Sequence, residues 1–163
     1  NKLMTGTSDT TFNPAGSTTR AMVVTTLYRM AGSPEVTGKT AFTDVAAGSY
    51  YEKAVIWAAE NSVASGTSAT TFEPNKAVTR EQLAQFLFKY AQYNGLSAVT
   101  LAENLSSFAD NDAISAYAIP ALQWAVGQGF LNGADGKLPP AGTATRCQFA
   151  AILHRFCAAQ TAA

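Results

Sequence analysis

Three stretches of the chain repeat one pattern of apolar and polar positions. Val23, Val24, Leu27, Met30 and Ala31 correspond to Leu83, Ala84, Leu87, Tyr90 and Ala91, and to Phe149, Ala150, Leu153, Phe156 and Cys157. The spacing i, i+1, i+4, i+7, i+8 is that of a helix burying one face. It predicts helices over 19–31, over 79–94 and from Arg146 onward. Thr19, Thr79 and Thr145 stand where an N-cap hydroxyl accepts from an otherwise unpaired backbone N–H. Gly32 and Gly95 follow the first two helices where a left-handed stop is wanted. Two further helices each carry a tryptophan, from Tyr51 through Trp57 and from Tyr117 through Trp124. Pro120 matches Lys53 and belongs in a first turn, where its missing N–H costs nothing. The intervening segments read as loops, with weak extended pieces near Phe12 and Phe72 and a frayed end over 158–163.

The helices belong to a longer repeat. Gly6, Phe12, Pro14, Thr19 and Arg20 recur as Gly66, Phe72, Pro74, Thr79 and Arg80, and again as Gly133, Leu138, Pro140, Thr145 and Arg146. The arginines are separated by steps of 60 and 66 residues. A fixed period of this size implies stacked copies of one supersecondary unit. The units are assigned to residues 1–35, 36–97 and 98–163, packed together as one compact domain. Phe42-Thr43-Asp44 precedes the Trp57 helix as Phe108-Ala109-Asp110 precedes the Trp124 helix, whereas the first copy lacks this front half. Two and a half repeats are therefore expected, in a processed or truncated product. The missing half would be lost or supplied by a separate segment or chain.

Composition narrows the function. The chain is 47% hydrophobic and 13% charged, with eleven basic and eleven acidic residues. The absence of a basic stripe argues against nucleic acid as a partner, and the apolar runs are too short for membrane insertion. Cys147 and Cys157 are about 15 Å apart along one helix, too far for a bridge. His154 aligns with Tyr28 and Phe88 and is expected to fill a packing position. No nucleophile, metal-ligand or phosphate-loop spacing can be assembled, so neither an enzyme nor a cofactor is expected.

The repeated arginine is the sharpest candidate. A cation in a helix's first turn opposes the helix dipole, and three repetitions suggest a specific demand. Arg20, Arg80 and Arg146 could grip an anion together with the free N–H groups of the helix start. Equally, they could pair with Asp44, Asp110 or another internal carboxylate and lock the copies together. On the first alternative, Arg80→Ala would weaken binding and spare the thermal midpoint. The tryptophans are favoured as core. The tyrosines at the starts of their helices, Tyr50, Tyr51 and Tyr117, are better placed to form a groove wall. Gly66 and Gly133 would permit close backbone approach, or simply turn the chain.

Phe-x-Asp, a Trp-Ala helix, Gly, Thr-Phe-x-Pro and Thr-Arg-x-Gln together resemble the S-layer homology domain family over nearly the whole chain. The resemblance implies an all-α, pseudo-threefold prism with the helices after the Thr-Arg motifs bundled centrally. It also implies an extracellular location in a bacterial cell wall or S-layer. The partner would be cell-wall polysaccharide, held in grooves between repeats through an acidic, pyruvylated sugar. Arg20, Arg80 and Arg146 would then meet the anion, and Asp44 and Asp110 would be groove acids bonding hydroxyls or orienting the arginines. Family members usually carry Glu two places after the arginine, where this chain has Met22, Gln82 and Gln148; Leu138 replaces the usual Phe. The rival expectation is a protein-interaction or lattice-forming module whose grooves take polypeptide.

Overall fold

A computed structural model describes residues 3–96 and 105–161. The proposed boundary at 97/98 and residues 162–163 of the expected frayed end lie outside them. Five α-helices are described: α1 (Arg20–Met30), α2 (Glu52–Glu60), α3 (Arg80–Tyr93), α4 (Ile119–Gly127) and α5 (Arg146–Thr161). Three short 3-10 turns lie between Leu105 and Ala118. Among the described residues there is no strand; isolated bridges pair Ser17 with Thr145, Thr19 with Ala77, Thr79 with Thr143 and Ala134 with Lys137, and none falls on the pieces expected near Phe12 and Phe72. The fold is all-α, and α5 stays helical through Thr161 rather than fraying from Ala158.

Local chemistry ends the helices as expected. Thr19 Oγ1 accepts from Met22 N, Thr79 Oγ1 from Gln82 N and Thr145 Oγ1 from Gln148 N. Gln82 and Gln148 return the bond, their Oε1 atoms accepting from Thr79 N (3.2 Å) and Thr145 N (3.0 Å). Two of the three helices thus carry a complete capping box. This role needs an acceptor and not a charge, so glutamine serves it. Gly32 and Gly95 take φ of 84° and 65° at the stops of α1 and α3.

The copies are joined by a closed ring of backbone hydrogen bonds. Thr18 N donates to Ala144 O, Ala144 N to Val78 O, and Val78 N to Thr18 O, at 2.9, 3.0 and 2.9 Å. These three residues are equivalent in the repeat and fully buried, so the ring marks a pseudo-threefold axis. Around it, each helix start docks on the next copy's loop. Arg20 N and Ala21 N donate to Lys76 O and Pro74 O; Arg80 N and Glu81 N to Gly142 O and Pro140 O; Arg146 N and Cys147 N to Gly16 O and Pro14 O. The first N–H groups of a helix have no partner within it, and buried donors must find one. Here a neighbour's loop provides it, in the cyclic order first to second to third to first.

The tryptophans are core, each 3% exposed. Trp57 of α2 packs on Tyr28, Tyr90 and Tyr93, while Trp124 of α4 packs on Phe88, Phe130 and Phe156. His154 departs from expectation, because it is exposed. Its equivalents Tyr28 and Phe88 each lie against the next copy's tryptophan. No tryptophan helix stands opposite His154 among the described residues.

Candidate functional site

The arginines settle neither as anion ligands at free helix ends nor as partners of carboxylates. Arg20 Nε donates to Phe72 O and Nη2 to Ser65 O, both at 2.7 Å. Arg80 does the same to Leu138 O and Asn132 O, both at 2.9 Å. Arg146 reaches Phe12 O at 2.8 Å and Thr5 O at 2.6 Å. Each guanidinium therefore clamps both sides of the next copy's loop, in the same cyclic order as the backbone bonds. The helix-start N–H groups invoked for an anion are already bonded to carbonyls.

Asp44 and Asp110 hold the same loops from within their own copy. Asp44 accepts from Phe72 N (2.8 Å) and Glu73 N (2.7 Å). Burial alone would raise its pKa, but these amides and the field of Arg20 bring it below the ordinary value. Among the described residues the Asp110 carboxylate accepts only from Leu138 N, at 2.8 Å. The position after Leu138 is Pro139, which has no N–H to offer. Neither acid is among the lining residues of the three grooves described below; Asp44 spends both oxygens on loop amides and Asp110 one. The ring of Phe42 covers Gly66 and that of Phe108 covers Gly133, where an added Cβ would strike the ring and the loop's own carbonyls. The glycines thus first serve packing, although Gly66 also borders a cavity.

Three grooves follow from this geometry, each built by two or three copies. The first, about 380 Å³, is lined by Arg146, the Thr5–Gly6 segment, Met22, Arg29 and Tyr50. The second, about 710 Å³, is lined by Arg20, Ser65, Gln82, Gln85, Lys89 and Tyr117. The third, about 360 Å³, is lined by Arg80, Asn132, Gln148, Ala151 and Arg155. Every groove carries two cations and no carboxylate. Arg20 and Arg146 are buried, and burial pushes Arg20 and Arg80 below their ordinary pKa, though an arginine stays charged. Lys76–Glu73 is the one ion pair within 4 Å among the described residues. Asp44 and Glu73 act on Arg20, and Asp110 on Arg80, from beyond ion-pair distance. A desolvated cation without a direct ion pair is costly and leaves positive charge at the groove floor.

Sequence reasoning missed the second cation. Arg29, Lys89 and Arg155 each come nine residues after the motif arginine, a recurrence visible in the chain. Nine residues turn a helix by two and a half turns, so the two cations of one helix face different grooves. The structure also chooses between the two neighbouring tyrosines. Tyr50, not Tyr51, reaches the first groove, as Tyr117 does the second. Tyr50 precedes Trp57 by the same interval as Tyr117 precedes Trp124. Tyr51 is half-buried against the core. The Thr19, Thr79 and Thr145 hydroxyls act as caps. Tyr117 donates to Glu81 Oε1, and its pKa is pushed up to about 12 by burial and by that carboxylate.

Fold and grooves define a class, the tandem-repeat module whose copies close into a ring and share clefts at their junctions. The chain belongs to the S-layer homology domain family, whose model matches residues 41–84 and 107–150. Modules of this family are cell-surface anchoring units. The chain is 34% identical over 154 residues to the surface-layer 125 kDa protein of Lysinibacillus sphaericus, covering 92% of this chain and 12% of that protein. It is 33% identical over 155 residues to an endoglucanase of a Bacillus species, covering 93% and 16%. An amylopullulanase of Thermoanaerobacterium thermosulfurigenes is 28% identical over 160 residues, covering 93% and 8%. The chain thus spans a small part of the relatives it matches. Among the described residues no helix is long and apolar enough to cross a membrane.

Proposed function

We propose that this module anchors an exported protein non-covalently to the bacterial cell wall by binding an acidic secondary cell-wall polysaccharide in its grooves. The observation that carries this reading is the pair of cations, without a carboxylate, in each groove of a chain with no net charge. A pyruvate ketal on a sugar presents a carboxylate beside a flat apolar ring face. Its natural counterparts are a cation and the tyrosine of the first or second groove. The module acts as a binder and not as an enzyme. Sedimentation with purified sacculi tests this: binding is expected to disappear once the attached polysaccharide is removed. Binding that survives removal, or hydrolysis of the glycan, would overturn it.

A second role is favoured by the loop from Gly6 to Pro14. Phe72 and Leu138 are fully buried, but Phe12 is 40% exposed. Phe42 and Phe108 lie on Gly66 and Gly133, while among the described residues the nearest atoms to Gly6 are the loop's own. No carboxylate meets the Phe12 and Asn13 amides among the described residues, unlike those of Phe72 and Glu73. This loop is suited to seat a Phe-x-Asp turn from a polypeptide segment. A peptide spanning residues 40–61 of this chain should bind and protect the Phe12 amide from exchange. Its Asp44→Ala form should not.

A further inference from the structure

The three grooves are related by pseudo-symmetry but are not chemically equivalent. Arg29 Nη1 donates to Leu3 O at 3.1 Å, and Arg155 Nη1 to Phe130 O at 3.2 Å, each using part of its fork on a loop carbonyl. Lys89 stands at the equivalent position of the second groove, half-buried and without a hydrogen bond or ion pair among the described residues. Its ammonium has three donors to offer. Four residues earlier, Gln85 faces the same groove with an amide that is unbonded among the described residues, able both to donate and to accept. Its equivalents are Thr25 in the first groove and Ala151 in the third.

The wall of the second groove is also the best fixed. Glu81 is buried, and its carboxylate accepts from Ser115 N, Ser115 Oγ and Tyr117 Oη, at 3.0, 2.9 and 3.3 Å. Ala21 and Cys147 occupy the Glu81 position in the other copies, so neither can hold a tyrosine in this way. The volume of about 710 Å³ is nearly twice that of either other groove. It falls within the roughly 300–1,000 Å³ typical of small-ligand sites.

We propose that the second groove is the high-affinity site for the acidic sugar, with Lys89 as the residue that recognises the carboxylate and Gln85 bonding ring hydroxyls. The sugar ring lies on Tyr117 and its carboxylate points to Lys89, in the field of the clamped Arg20. The assignment rests on the polysaccharide reading above and adds to it which groove discriminates acid from neutral sugar.

The test titrates the protein with a methyl hexopyranoside bearing a 4,6-linked pyruvate ketal, and with its neutral parent, while following amide resonances. The Ser65 and Gly66 amides and the Gln85 side chain should shift at lower probe concentration than Thr5, Gly6, Asn132 or Ala134. Lys89→Ala should weaken the acidic probe at this groove by about tenfold, as expected for one lost charge-assisted bond, and leave the neutral parent unaffected. Lys89→Arg should restore most of the loss. Lys89 is half-exposed and has no bond among the described residues, so an unchanged thermal midpoint should certify the fold. Earlier shifts in another groove, or equal loss of both probes, would overturn the assignment while leaving the polysaccharide reading standing. A protein that binds neither the probes nor polysaccharide-bearing sacculi would overturn both.

Discussion

The Arg146 guanidinium donates to the Thr5 carbonyl at 2.6 Å across 141 residues of chain. This bond closes the ring: the third copy holds the loop of the first, as the first holds the second and the second the third. Positive charge is thereby fixed beside each groove by the same contacts that hold the copies together. Architecture and the proposed binding are therefore coupled through single residues.

Truncating a clamp should cost stability. Arg146→Ala removes two charge-assisted bonds and leaves the Phe12 and Thr5 carbonyls without their partner, a loss of about 3 kcal/mol. For a chain of this length that is roughly 6–12 °C in thermal midpoint by calorimetry. Arg80→Ala should behave alike, against the sequence-based expectation that its midpoint is spared. Because Arg80 is less buried, its drop should be the smaller of the two. An unshifted midpoint in both variants would refute the clamp.

Thr18→Val should stabilise. The Thr18 hydroxyl is fully buried without a hydrogen-bond partner among the described residues, although its backbone N–H and carbonyl belong to the axial ring. Val78 occupies the equivalent position. Replacing an unpaired buried hydroxyl by a methyl of the same shape should gain about 1 kcal/mol, read as a higher urea midpoint at constant slope. A lower midpoint would mean that the hydroxyl has a partner after all.

Acid should loosen the second loop through Asp44. Its folded pKa lies below the ordinary 3.8, because amide bonds and Arg20 outweigh burial. The stabilisation is thus fully present above 3.8 and is lost as pH falls through the folded value. Asp44→Asn should be less stable at neutral pH, and its stability should fall less steeply with acid below that point. Parallel stability–pH curves for the two proteins would show that Asp44 is not the titrating tie.

Gly66→Ala should damage both fold and binding. The added Cβ would press on the Phe42 ring and on the carbonyls of Ser68 and Thr71, an overpacking cost of about 1–3 kcal/mol. It would also displace Ser65, whose carbonyl Arg20 holds. Melting and acidic-sugar binding at the second groove should fall together. An unaffected pair would place the glycine in an ordinary open turn.

Much of this protein is written locally. Helix starts and stops, the threefold recurrence of the motif and the burial of Trp57 and Trp124 follow from periodicity and cap chemistry, which depend on residues a turn or two apart. Tertiary structure alone decided what Arg20, Arg80 and Arg146 meet. Their acceptors are backbone carbonyls of another copy, and a carbonyl leaves no mark in the identity of its residue. It likewise decided that Tyr50 rather than Tyr51 faces a groove, and that His154 is exposed where its counterparts are covered. The cations nine residues along were visible as letters. Their joining with an arginine from a different helix was not, since only ring closure brings opposite faces of successive helices to one cleft.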